Sequence, residues 1–343
     1  MIQTFRRTLV TGGVLQTILA LLAVPVLTGC RTDGTAAGSP THAGTGPGAA
    51  HAAKPAEMPA DPAALDRWLA DREAAVPDLV PGTEKHIRWH GEPGRRTPLS
   101  IIYLHGFSAS RQELNPVVER VADAIGANLF YTRFTGHGRD ADAMGQATVK
   151  QWIADTREAW RIGTLIGEEV IIMGTSTGGA LAAWLAAEQR NPAALVLASP
   201  NFGPADSRAG ILLWPGGRLI ARLFSGRYRS FEPLNEAHAR YWTERYPTGA
   251  LKPMMQTVRL AWRAPLEEIA APALVLYTEA DDVVSVPKLK DAFDRLGSAS
   301  KELLDLPGAD HHVLAGDIVS PHATDAAVSE ITSFLRRHLP AAR

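Results

Sequence analysis

The pentapeptide Gly174-Thr175-Ser176-Thr177-Gly178 constrains this chain more than any other stretch. Before it runs Val170-Ile171-Ile172-Met173, apolar and of the length of a buried strand. After it comes Ala180-Leu181-Ala182-Ala183-Trp184-Leu185-Ala186-Ala187, rich in helix formers. A strand that gives way to a helix within five residues must turn sharply, and a serine stands at the corner. Glycines two residues to either side suit such a corner, because strand and helix approach too closely there for side chains. The first amides of the helix have no helical acceptor and form the positive end of its dipole, so they can face an anion that develops beside the serine. The same pentapeptide inside a Gly-rich loop would carry no such meaning; the flanking strand and helix supply it.

Apolar strand-length runs alternate with helical patterns along the folded part. Strands are expected at 85–89 (a short edge), 99–104, 128–133, 194–198, 273–277 and 302–306, and helices at 111–124, 148–166, 287–296 and 323–338. Strands apolar throughout, separated by helices, indicate an α/β fold: a doubly wound, mostly parallel sheet covered on both faces. In such sheets ligands bind beyond the carboxyl ends of the strands. The alternation breaks at 202–265, where Trp214, Phe224, Tyr228, Tyr241, Trp242 and Trp262 lie among arginines and turn residues. This segment reads as an inserted, largely helical cap.

A serine hydroxyl is a poor nucleophile at neutral pH. It needs a base within hydrogen-bond reach, and the base needs an orienting acid. Two loops at strand ends downstream of Ser176 supply candidates: Glu279-Ala280-Asp281-Asp282-Val283-Val284, and Gly308-Ala309-Asp310-His311-His312-Val313. The order serine, acid, histidine leaves Asp281 and Asp282 both eligible. Either aspartate could instead serve a turn or a helix cap. Asp310, His311, His312 and His322 invite a metal reading, but adjacent histidines on a loop seldom point at one ion. No metal and no cofactor is expected.

Together, His105-Gly106-Phe107, Gly136-His137-Gly138, the serine corner, and Asp281 with His312 make residues 99–338 resemble the α/β-hydrolase superfamily. Within it the likeness is to the monoacylglycerol lipase, lysophospholipase and carboxylesterase group. The resemblance implies an α/β-hydrolase fold and ester hydrolysis through Ser176, Asp281 and His312. The acid loop of that group reads G-x-x-D-x-V-V, which puts Asp281 at the acid position; Thr278 departs from its glycine. The group's histidine precedes an apolar residue, as His312 precedes Val313. The resemblance further implies an oxyanion hole from the backbone amides of Phe107 and Thr177, with His105 and His137 holding loops. A non-catalytic binding protein of this fold, or a thioesterase or peptidase, is the rival expectation.

The amino-terminal region belongs to targeting and not to the fold. Arg6 and Arg7 precede an apolar run from residue 14 to residue 27, interrupted by Pro25 and too short to span a bilayer. Leu27-Thr28-Gly29-Cys30 resembles a bacterial lipobox, which implies a signal peptide over 1–29, lipidation of Cys30 and a protein held on a membrane surface outside the cytoplasm. Cys30 is the single cysteine, so no intrachain disulfide can form. Residues 30–60, rich in Gly, Ala, Pro, Ser and Thr, read as a flexible tether, and the hydrolase domain with its insertion as 61–343. The chain of 343 residues has a net charge of -1, which gives no field favouring nucleic acid. The expected partners are a lipid-like or small ester substrate and a membrane surface.

Overall fold

The computed structural model describes residues 57–342 except 190, 191, 218, 220, 221, 224 and 225. The signal peptide expected over 1–29, Cys30 and the tether up to residue 56 lie outside the described residues. Asp61 opens the first described helical turn: its carboxylate accepts the Ala63 N–H at 3.0 Å, and Pro62 follows at the first helical position, where no donor is lost.

Seven strands form one sheet: β1 His86–Arg88, β2 Thr97–Leu104, β3 Asn128–Tyr131, β4 Gly167–Thr175, β5 Ala194–Ala198, β8 Ala273–Tyr277 and β9 Lys301–Asp305. Their spatial order is β1-β3-β2-β4-β5-β8-β9. Every pairing is parallel except that of β1 with β3. This is the expected mostly parallel sheet, and its two-residue period sorts the core. Ile102, Leu104, Ile172, Leu195, Leu197 and Val275 point to one face. Ile101, Tyr103, Ile171, Met173, Val196 and Leu274 point to the other.

Helices cover both faces. Trp152 and Ile162 of the helix Val149–Ile166, with Leu181 and Leu185 of Ser176–Gln189, pack on the first. Val117 and Val121 of Val117–Ala124, with Ile331 and Phe334 of Thr324–His338, pack on the second. Burying each large aliphatic side chain is worth about 1.5–3 kcal/mol, so these two clusters supply most of the drive to fold. The long helix starts where the sequence marks it: Thr148 and Gln151 close a capping box. Among the described residues no helix is long and apolar enough to cross a membrane.

Two expectations need correction. The helix expected from residue 111 begins only at Val117, because Pro116 has no N–H to donate and stands at the cap. Residues 110–116 form turns instead, with Glu113 N–H donating to Ser110 O and Asn115 N–H to Gln112 O. The segment 202–265 is also less helical than expected. It holds an antiparallel pair, β6 Tyr228–Ser230 with β7 Arg245–Pro247, besides the helices Glu236–Tyr241 and Leu251–Arg263. Met254, Met255 and Val258 of the last helix belong to the sheet's own core. Trp242 is buried, whereas Trp214 is 65% exposed, so the aromatic residues of this segment do not share one role.

Both outer strands of the sheet are guarded. β1 has three residues, and Arg88 pairs with Asp123. On β9 Lys301 Nζ donates to the carbonyls of Phe293, Asp294 and Leu296, and Glu302 binds Arg337 at 2.8 Å.

Candidate active site

β4 ends at Thr175 and the next helix begins at Ser176, so the turn has no connecting loop. Ser176 takes a φ of 52°, in the left-handed region that a side chain other than glycine's seldom occupies. The flanking glycines are obligatory. A Cβ on Gly178 would stand 2.0 Å from Leu104 O, at the end of β2, and 2.4 Å from His105 O, just beyond it. A Cβ on Gly174 would stand 2.6 Å from Gly178 O. The corner is pinned from the loop after β5 as well, where Asn201 N–H donates to Ser176 O at 2.9 Å.

Loops after β8 and β9 bring the acid and the histidine to this serine. His312 Nε2 lies 2.8 Å from Ser176 Oγ, and His312 Nδ1 lies 2.8 Å from Asp281 Oδ2. The Asp281 side chain is 1% exposed and that of His312 13%. Asp281 keeps its other oxygen occupied, since Oδ1 accepts the N–H groups of Val283 at 2.9 Å and Val284 at 3.0 Å. Burial pushes the Asp281 carboxyl up. The hydrogen bond and charge of His312 and the two amides outweigh that, and hold it below the ordinary carboxylate range. Asp282 is exposed, and the helix Val286–Arg295 is capped by Ser285. The geometry therefore selects Asp281 as the partner of His312. His311 points elsewhere: it is exposed and lies 3.9 Å from Asp310, which also pairs with His322 at 3.4 Å.

Thr278, the residue that departs from the group's glycine, has a job of its own. Its hydroxyl donates to Ala309 O at 2.8 Å, and its carbonyl accepts the Asp281 N–H. It thus ties the acid loop to the histidine loop. Neither bond can be inferred from the sequence, because threonine at a strand end reads as ordinary strand chemistry.

The loop after β2 carries His105, Gly106 and Phe107 beside the corner. His105 is wholly buried. Its Nδ1 lies 2.8 Å from Gly106 O and its Nε2 accepts the Phe134 N–H at 3.1 Å, which fixes the proton on Nδ1. Burial, helped by the neighbouring His137, drives its pKa well down and keeps the ring neutral. His137, likewise buried, is depressed to about 4 by desolvation. It packs against His105, Phe107, Phe134 and Trp152. Both histidines brace loops. Phe107 also meets Tyr246 of β7 edge-on, with ring centroids 5.1 Å apart, and Thr243 N–H donates to Ser108 O at 2.8 Å. The insertion therefore touches this loop directly. Thr177, directly after Ser176, is the second residue of the helix Ser176–Gln189 and is buried.

The model of the serine aminopeptidase S33 family (Hydrolase_4) matches residues 97–317, which include Ser176, Asp281, His312 and the loop after β2. The chain belongs to this family. It is a hydrolase of the serine type, on an α/β-hydrolase fold. Among curated proteins, the S33 chain is similar to a thermostable monoacylglycerol lipase of Bacillus sp. (strain H-257), at 26% identity over 65% of this chain and 86% of that one. Among solved structures, it resembles one reported for the metagenome-derived lipolytic enzymes LipS and LipT, with TM-score 0.63 and 22% identity over 76% of this chain and all of that one (100%). A monoacylglycerol lipase of Paleococcus ferrophilus shares the fold at TM-score 0.55 and 16% identity, over 74% of this S33 chain and 99% of its own.

Proposed function

We propose that the protein is a carboxylic ester hydrolase acting through an acyl-enzyme on Ser176. The observation that carries this reading is the continuous line from Asp281 through His312 to Ser176, at hydrogen-bond distance in both steps. His312 Nε2 takes the Ser176 proton as Oγ bonds to the ester carbonyl carbon. The carbonyl electron pair moves onto oxygen, where the amides of Phe107 and Thr177 receive it. Asp281 holds the imidazole tautomer and stabilises its charged form. The intermediate collapses, the alkoxy oxygen leaves with the proton from His312, and water repeats the sequence to release the acid.

Phe107 on the loop after β2, with Tyr246 packed against it, offers an apolar surface that suits an acyl chain better than a charged group. Likeness to a monoacylglycerol lipase supports lipid-like esters as substrates. The order of Arg6, Arg7, an apolar run and Leu27-Thr28-Gly29-Cys30 supports anchoring through lipidated Cys30, outside the cytoplasm. Hydrolysis of p-nitrophenyl esters graded from two to sixteen carbons, of a monoacylglycerol and of an aminoacyl anilide tests the reading, with Ser176→Ala as control. Ester turnover abolished in Ser176→Ala is the expected result. Turnover unchanged by that substitution, or confined to the anilide, overturns it. For the anchor, Cys30→Ser is expected to move the protein from the membrane fraction to the soluble extract.

A further inference from the structure

The Glu113 carboxyl group, on a residue 2% exposed, lies against the loop after β2, and the reaction outlined above gives it no task. Its Oε2 accepts the Gly106 N–H at 2.7 Å and the Tyr103 hydroxyl at 3.1 Å. The Tyr103 oxygen lies in turn 2.9 Å from Thr175 Oγ1, on the residue before the nucleophile. The approach is possible only because Gly106 has no side chain: a Cβ there would stand 2.5 Å from Glu113 Oε1.

Two peptide planes meet at Gly106, and both are held. Glu113 holds the amide of the plane that enters the residue, and His105 Nδ1 holds the carbonyl of the plane that leaves it. In a trans peptide, carbonyl and amide point in opposite directions. Fixing Gly106 O therefore fixes the direction of the Phe107 N–H, provided that the preceding plane cannot rotate. Glu113 supplies that condition. On the far side, the Tyr103 bridge joins the same carboxyl to Thr175, whose position sets the start of the helix that presents the Thr177 amide. A third neighbour completes the junction: Gly316, just beyond His312, packs against Glu113 O, where a Cβ would come within 2.7 Å.

We propose that Glu113 is a positioning residue that aims the two oxyanion amides, Phe107 N–H and Thr177 N–H, at one point. The proposal rests on the acyl-transfer reading of the site. Burial pushes the Glu113 carboxyl up to about 7, offset in part by Gly106 N–H, His312 and Tyr103. A group so placed in the neutral pH range costs the protein stability, which a purely space-filling residue would not need to do.

Glu113→Asp and Glu113→Gln test it together. The aspartate is one methylene short and withdraws from Gly106 N–H, whereas the glutamine keeps an acceptor oxygen at full length. Glu113→Asp is expected to lower kcat on a p-nitrophenyl ester about 10–100-fold, with KM changed less than about threefold, since a mis-aimed amide is felt mainly in the transition state. Glu113→Gln is expected to recover at least about tenfold of a loss of that order. Hydrogen exchange in the peptide spanning residues 104–110 should quicken in Glu113→Asp and return towards wild type in Glu113→Gln. A wild-type kcat in folded Glu113→Asp overturns the proposal, as does a glutamine variant as poor as the aspartate. Unchanged exchange overturns it whatever the activity. The acyl-transfer reading fails separately, on the Ser176→Ala control, and the exchange measurement does not depend on it.

Discussion

His312 Nε2 stands 2.8 Å from Ser176 Oγ although 136 positions of sequence separate the two. The sheet brings this about: β4 and β9 are not neighbours, but both end on the same edge, with β5 and β8 between them. The distance is that of a formed hydrogen bond, so the base needs no rearrangement before it can act.

The partner of His312 gives the first prediction. Asp281→Asn should leave the fold intact and reduce kcat about 10³–10⁴-fold, because the amide favours the wrong imidazole tautomer. Asp282→Asn, at an exposed position, should change kcat by less than about threefold. Steady-state kinetics on the same ester, with the two variants side by side, decides between the adjacent carboxylates.

Gly178→Ala should damage the fold before it damages the chemistry. Its Cβ would meet two backbone carbonyls that cannot rotate away. A loss of about 1–3 kcal/mol or more in denaturant unfolding is expected, from overpacking. Gly91→Ala provides the contrast: a Cβ there meets nothing within 4 Å, so the strain of its φ of 84° acts alone.

A buried ionic cluster beneath the β3 end gives the third. Arg133 Nε and Nη2 bind both oxygens of Glu73 at 2.7 and 2.9 Å, and Glu73 also accepts the Lys85 N–H at 3.0 Å. The two side chains are 7% and 8% exposed. Glu73→Ala strands the guanidinium and should cost about 3–5 kcal/mol. Glu73→Gln, which keeps the acceptor, should cost less, and urea denaturation of both variants checks the order.

Stability should respond to pH in two opposed ways. The folded Asp281 carboxyl lies below its ordinary value, so its contribution is present above that value and is lost as pH falls through the folded one. Glu113 is raised to about 7 in the folded protein, against an ordinary 4.5, so the folded state holds an extra proton between the two. Its contribution is complete below 4.5 and is lost as pH rises through about 7. Wild-type unfolding free energy should therefore fall between pH 5 and pH 8 relative to Glu113→Gln, by an amount on the order of 2–3 kcal/mol. Equal pH slopes for the two proteins would contradict the assignment.

What could be read from the sequence followed from how strongly each residue is constrained. Gly174 and Gly178 are fixed by backbone crowding and Ser176 by its corner, so the turn was legible as a pattern. The inner strands were legible from their apolar runs, since each is covered on both faces. Asp281 and Asp282 were separable only through resemblance, because their difference lies in which one collects the Val283 and Val284 amides, a matter of loop geometry. β6 and β7 were illegible for another reason. With three residues each and the composition Tyr-Arg-Ser and Arg-Tyr-Pro, they bear no alternation. Glu113 was misread as part of a helix, where a glutamate is normally solvated. Pro116 moved the helix start and turned that side chain inward.

The guarded edges of the sheet bear on how this molecule behaves in company. A parallel sheet with a bare outer strand is a template for another chain's backbone, and so for swapped dimers and fibrils. Here one margin is three residues long and the other sits under a lysine whose ammonium is tied to three carbonyls. Strand addition is disfavoured on both sides. The sheet should therefore resist edge-to-edge association even at high protein concentration, and removing the Lys301 charge is the change most apt to make the protein aggregate.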